Sequence, residues 1–204
     1  EDLDDIDDIF DWILCAYTET SIAFKIDLQF VRNKADSFGA RLYVDATGSI
    51  GLEDYHELAD LMAFSSCKGL FGLTGACFIA RKRDLIPKNS SHFYFNIDTH
   101  KNKMVTGPYH AIASLYGVIK EHELFKRRVI SSKNFILNKY SNLVRDSHQP
   151  LLCTYLEGRV LPCDDNVILY NPRSQLNGAV ICHFGEIHHD LLNIEKRIEV
   201  NPLS

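Results

Sequence analysis

The chain has 204 residues, 46% of them hydrophobic, and a formal net charge of −5. That length can bury one sizeable core, or one core and a small lobe. The mild negative charge gives no electrostatic reason to expect a nucleic-acid partner, and no apolar run is long enough for a membrane-spanning helix.

In chain order, the acidic stretch Glu1 to Asp11 leads straight into a strand-like run, so the start reads as an N-terminally truncated chain without a signal peptide. Trp12 to Tyr17 reads as a buried strand, and Leu28 to Phe38 as an amphipathic helix closed by Gly39. Arg41 to Val44 is the next strand, Glu53 to Ala59 a short helix, and Leu61 to Phe64 and Gly75 to Ala80 two further strands. Short apolar strands separated by helical patterns predict an α/β fold with a largely parallel sheet covered on both faces. After about Asn96 the pattern changes. Helices are expected over Tyr109 to Ile119 and Glu123 to Arg145, strands over Leu151 to Tyr155, Val167 to Tyr170 and Val180 to Phe184, and a last helix over Leu191 to Val200. Residues 1–96 are therefore expected to belong to a large α/β domain, and residues 97–204 to a small α+β domain. The six cysteines are scattered with no Cys-x-x-Cys pair, which favours a reducing, cytoplasmic setting.

Two residues carry chemistry. Asp45 ends one apolar run and Lys68 follows another, in the stretch Ser65-Ser66-Cys67-Lys68-Gly69-Leu70-Phe71-Gly72. Both fall at or just beyond carboxyl ends of predicted strands, where open α/β sheets place ligands. Alone, Lys68 reads as a solvated loop charge and Asp45 as a helix cap. Together they offer an amine that can form a Schiff base and a carboxylate that can keep a pyridine nitrogen protonated. Pyridoxal phosphate chemistry needs those two groups from a protein.

Thr18-Glu19-Thr20-Ser21, Tyr43-Val44-Asp45-Ala46-Thr47-Gly48-Ser49-Ile50-Gly51 and Ser65-Ser66-Cys67-Lys68 stand in the order of three consecutive motifs of a known family. Thr106-Gly107-Pro108-Tyr109-His110 and the series Val167 to Tyr170 with Cys182 to Ile187 extend the match. The chain resembles the class V, fold-type I pyridoxal-phosphate-dependent aminotransferases, most closely the 2-aminoethylphosphonate–pyruvate transaminases. The resemblance implies a three-layer α/β/α large domain and pyridoxal 5'-phosphate as cofactor. It makes Lys68 the catalytic lysine that holds the cofactor and shuttles a proton, and Asp45 the partner of the ring nitrogen. Thr47 would pack on one ring face, Thr20 would hydrogen-bond near the cofactor, and Thr106 would reach the phosphate of a neighbouring subunit's cofactor. That last role implies a homodimer with shared sites.

Three features depart from the family. Its glycine-rich phosphate turn and ring-stacking aromatic have no counterpart here, and Cys67 replaces an amide side chain. The carboxylate-binding arginine falls at about His183, with Arg173 upstream as a candidate substitute for holding the substrate. The cluster Cys182-His183-Glu186-His188-His189 fits no zinc spacing, so no metal is expected. Gly69 to Gly75 lacks the Gly-Lys-Ser/Thr of a nucleotide loop, and Gly48-Ser49-Ile50-Gly51 is no serine-hydrolase elbow. Two functional expectations follow. The first is a transaminase moving an amino group from a small amine or amino acid to a 2-oxo acid such as pyruvate. The second is a non-catalytic, truncated aminotransferase-like domain acting in binding or dimerisation.

Overall fold

The computed structural model describes residues 10–85, 96–103, 107–144, 146, 148–158, 160, 168–172 and 176–184. The main sheet has strands β1 (Trp12–Ala16), β4 (Arg41–Asp45), β5 (Leu61–Ser65) and β6 (Cys77–Arg81), ordered β1-β4-β5-β6. β1, β4 and β5 run parallel, and β6 returns antiparallel along β5. A two-stranded ribbon, β2 (Thr18–Glu19) with β3 (Phe24–Lys25), follows β1 directly.

Helix α1 (Leu28–Ser37) supplies the crossover from β1 to β4 that parallel pairing demands. Asp27 caps it, its Oδ1 accepting from the backbone N–H of Gln29 (2.9 Å) and Phe30 (3.1 Å). Leu28, Val31 and Ala35 recur at helical spacing and bury against Leu42 and Val44 of β4. Gly39, at φ +66°, takes the left-handed conformation that ends the helix and turns the chain into β4.

The alternation within each strand then fixes two unlike faces. Leu42, Val44, Ile13, Cys15, Met62 and Phe64 pack toward α1, whereas Leu14 and Ile79 stand 67% and 60% exposed on the other side. The register puts Leu14, Tyr43, Asp45, Ala63 and Ile79 on that second face. Among the described residues the sheet is thus covered on one face, not on both as its apolar strands predict. The expected helix at Glu53 to Ala59 shrinks to one 3₁₀ turn, His56–Leu58.

Beyond residue 96 lie α2 (Ile97–Lys103), α3 (Tyr109–Val118) and α4 (His122–Lys139), the last two linked by a 3₁₀ turn, Ile119–Glu121. α4 ends six residues before the predicted Arg145, with Tyr140 closing it through its N–H to Ile136 O. β7 (Cys153–Glu157) and β8 (Gly178–Cys182) form an antiparallel pair, joined on its far side by one bridge between Tyr170 and Val180. Leu152, Cys153 and Val180 share a core with Ala23 and Leu52. Glu53 Oε1 also accepts from the N–H of Leu151 at 2.6 Å, which ties this hairpin to the loops above the main sheet. The helix expected over Leu191 to Val200 lies outside the described residues.

Candidate active site

Because β4 and β5 are parallel neighbours, their carboxyl ends open on the same edge of the sheet. Asp45 is the last residue of β4, and Lys68 stands three residues past the end of β5. The two sequence-derived candidates therefore share one edge, as expected of a ligand site in an open α/β sheet.

Asp45 is exposed, and its Oδ1 accepts from the N–H of Thr47 at 2.9 Å. That bond folds Ala46 and Thr47 into a tight turn, so the carboxylate caps its own loop and not a helix. The turn brings Thr20 in. A Cβ built on Gly48 would lie 3.3 Å from both Thr18 Cβ and Thr20 Cγ2, so the β2–β3 ribbon rests directly on it. Thr18 Oγ1, buried at this contact, has no hydrogen-bond partner among the described residues.

The loop carrying Lys68 is held at several points. Ser66 is fully buried, and its hydroxyl donates to Leu73 O (2.5 Å) and accepts from Ala76 N–H (3.3 Å). Phe71 N–H closes back on Lys68 O at 2.8 Å, and Gly72 N–H on Ser66 O at 2.8 Å. Gly69 presses on the neighbouring loop so closely that a Cβ there would sit 1.9 Å from Ile50 O. Its own carbonyl accepts from His122 Nε2 at 2.8 Å, which fixes the proton of that imidazole on Nε2. These contacts hold the backbone of Lys68 while leaving its side chain half-buried, and no described residue pairs with its ammonium. Its charge does reach the hairpin, where it pulls the Cys153 and Cys182 thiols down against the larger upward push of burial.

His183 follows β8 and is 1% exposed. Its Nε2 lies 2.8 Å from Thr154 Oγ1, whereas Nδ1 has no partner among the described residues. Burial, helped by the nearby Lys133 charge, pushes its pKa down to about 3. The ring is neutral at physiological pH and offers no cation to a carboxylate. Thr106 and Arg173 lie outside the described residues. Among those described, no cluster of three or more metal-ligating side chains occurs, and no helix is long and apolar enough to cross a membrane.

Sequence reading misses a second polar centre at the opposite end of the sheet. Asp60 is 3% exposed and takes Arg32 Nη1 at 2.7 Å, Lys82 Nζ at 3.1 Å, Arg41 Nη1 at 3.3 Å and Leu42 N–H at 2.8 Å. Burial pushes its carboxyl up, but the Leu42 N–H and the Arg32 and Lys82 cations outweigh it and hold it well below the usual carboxylate range. Arg41 also pairs with Asp84 at 2.9 Å, and Arg32 with Asp36 at 2.7 Å. The partners come from three separate segments, so no local motif announces them. With every cation already matched by a carboxylate, this centre is structural.

Neither a protein-family model nor a curated protein matches the sequence. Solved structures do match. An alanine–glyoxylate aminotransferase from Nostoc sp. superposes with a TM-score of 0.64 at 15% identity, covering 84% of this chain and 56% of its own. The subgroup IV aspartate aminotransferase of Thermus thermophilus gives 0.68 at 15%, with 89% and 60% covered. The pyridoxamine–pyruvate aminotransferase of Mesorhizobium loti gives 0.65 at 16%, with 95% and 61% covered. At such identity the likeness is one of fold, and this chain has the α/β fold of these aminotransferases. It spans about three fifths of their length.

Proposed function

We propose that this chain carries the lysine–aspartate half of a pyridoxal 5'-phosphate site and serves a transaminase. Such an enzyme would move an amino group from a small amine or amino acid, with 2-aminoethylphosphonate as one candidate, to a 2-oxo acid such as pyruvate. One observation carries the reading: Asp45 and Lys68 stand on the same carboxyl edge of adjacent parallel strands, and the Lys68 amine has no partner among the described residues. The donor set fits the group. When bound, the cofactor supplies an aldehyde for the amine and a ring that accepts electrons during proton removal. Asp45 Oδ2 is left free by the turn that engages Oδ1, so a carboxylate remains to hold a ring N–H by a charge-assisted bond. Lys68, once deprotonated, would be the nucleophile toward the aldehyde and then the base that takes the proton from the amino-bearing carbon of the substrate. Thr47 and Thr20 border the same turn and would line the ring and its hydrogen-bonding edge.

The 2-oxo acid needs a cation for its carboxylate, and a planar guanidinium suits it best. Because His183 is buried and neutral, that role goes to Arg173. Thr106 is assigned to the phosphate across a homodimer.

Borohydride treatment with pyridoxal phosphate present should fix the cofactor on Lys68, located by peptide mapping. A label on another lysine, or none, overturns the assignment. The neutral His183 also favours a second reading, a non-catalytic aminotransferase-like domain that binds or dimerises. Visible absorbance on mixing with pyridoxal phosphate separates the two, since the non-catalytic domain would show no new band.

A further inference from the structure

Cys153 and Cys182 are 29 residues apart in sequence yet face each other directly across the β7–β8 hairpin. In an antiparallel pair, opposite residues alternate between hydrogen-bonded and non-hydrogen-bonded positions. His183 N–H donates to Leu152 O at 2.9 Å and Gly158 N–H to Asn177 O at 2.9 Å, so the even-numbered positions of β7 are the bonded ones. Cys153–Cys182 is therefore a non-bonded pair, the kind in which the Cα atoms approach to about 4.5 Å and the side chains lie closest. A disulfide spans Cα separations of roughly 4.4 to 6.8 Å. Two directly opposed residues also point to the same face, so the two side chains leave the hairpin side by side and rotation about each Cα–Cβ bond can bring the sulfurs together. Both cysteines are free thiols.

We propose that Cys153 and Cys182 form a redox couple, a cross-strand dithiol that closes to a disulfide by exchange with a small-molecule disulfide. Cys182 is half-buried and is the entry point, whereas Cys153 is 2% exposed and is the resolving thiol. The Cys182 sulfur attacks the small disulfide and releases one small thiol. The Cys153 sulfur then attacks the Cys182 sulfur of the mixed disulfide and releases the second. Both protein protons leave with the two released thiols, so the protein loses two electrons and the oxidant gains them. Burial raises the pKa of both thiols, to about 12 for Cys153, which makes the first step slow. The second is intramolecular between adjacent sulfurs and outruns release of the mixed disulfide.

The couple sits beside the candidate site. Cys153 Sγ points at Thr20 O, 3.8 Å away, and the Lys68 charge acts on both sulfurs. Closing the bond would lock β7 to β8 and remove the thiol proton that Cys153 directs at Thr20 O, so it would alter the hairpin's contact with the loop that carries Thr20. The inference rests on the register of the hairpin and does not depend on the transaminase reading.

The test is to incubate the full chain with oxidised glutathione, alkylate the remaining thiols and map peptides without reduction. The expected product is a Cys153–Cys182 link, reversed by dithiothreitol. Cys153→Ser should stop at glutathione held on Cys182, and Cys182→Ser should give no link to Cys153. A wild-type chain that stops at the mixed disulfide overturns the proposal. So does a link from either residue to Cys15, Cys67 or Cys77, or a full count of free thiols after prolonged exposure. The wild-type map decides even if a serine variant fails to fold.

Discussion

At the residue scale, Asp45 and Asp60 show how one side-chain type divides into two tasks. Asp60 lies at the amino end of β5, buried among three cations and one backbone N–H, and its charge is committed to the fold. Asp45 lies at the carboxyl end of β4, exposed, with one oxygen engaged and one free. Replacing Asp45 by Asn should leave the melting temperature nearly unchanged. It should reduce transaminase turnover by at least roughly a hundredfold, the scale of losing one strong preorganised electrostatic group. Steady-state kinetics of the cofactor-loaded enzyme check this. Asp60→Asn should do the reverse, since it takes the buried carboxylate away from the buried Arg32 guanidinium, a change worth about 3–5 kcal/mol when a buried pair is broken. The two centres also predict an acid profile. His183 is held below its ordinary 6.5, so the unfolded chain takes up a proton first and stability falls as pH drops below that value, down to about 3. Asp60 is held below its ordinary 3.8, so its contribution is complete above that pH and is lost only as pH falls further, through the folded value. Melting temperatures in the His183→Gln chain should be flatter between pH 6.5 and 4, and those in Asp60→Asn flatter only below pH 4.

At the scale of elements, the loop between β5 and β6 is the part that positions the chemistry, and Gly69 is its tightest point. A methyl group there meets Ile50 O at 1.9 Å, and backbone cannot yield as a flexible side chain would. Gly69→Ala should therefore displace the Lys68 loop from the Asp45 loop. The expected result is slower borohydride-trapped labelling of Lys68, with a destabilisation of about 1–3 kcal/mol measured by denaturant unfolding. Labelling at the wild-type rate would show that the two loops are not coupled through this contact. The sequence made the elements of this region legible because each has a local signature: an apolar period of 3.6 closed by Gly39, and apolar runs ending at Asp45 and Ser65. It could not show that β6 returns antiparallel, because a five-residue apolar strand carries no mark of direction. Nor could it place His122 on Gly69 O, a contact across 53 residues that forms where the start of α4 packs on Phe71. The same holds for His183. Its position in the chain marks it as a ligand for a carboxylate, and only the packing of β7 on β8 reveals a buried ring bound to Thr154.

At the scale of the molecule, two apolar surfaces lie open among the described residues, and they differ in what they ask for. The uncovered sheet face presents Leu14, on a strand of the parallel part that is normally buried on both sides, and Ile79, on the antiparallel β6. The other is a stripe on α3 and the turn after it: Tyr109 (75% exposed), Ile112, Tyr116 (73%) and Ile119 recur every three or four residues along one side. Tyrosines mixed with aliphatic side chains at such exposure are the composition of an interface core. The stripe begins three residues after Thr106, the residue assigned to a neighbouring subunit's cofactor. A two-fold axis would bring two copies of one stripe together, which is the self-complementary arrangement of an isologous dimer. Sedimentation equilibrium at micromolar concentration with pyridoxal phosphate present should therefore report a dimer. Tyr116→Glu should shift it to monomer, because a carboxylate placed in a buried apolar contact loses its water without gaining a partner. A wild-type monomer would remove the shared site and strengthen the non-catalytic reading. A dimer that survives Tyr116→Glu would move the interface off α3, and Leu14→Glu on the open sheet face would then be the variant expected to break it.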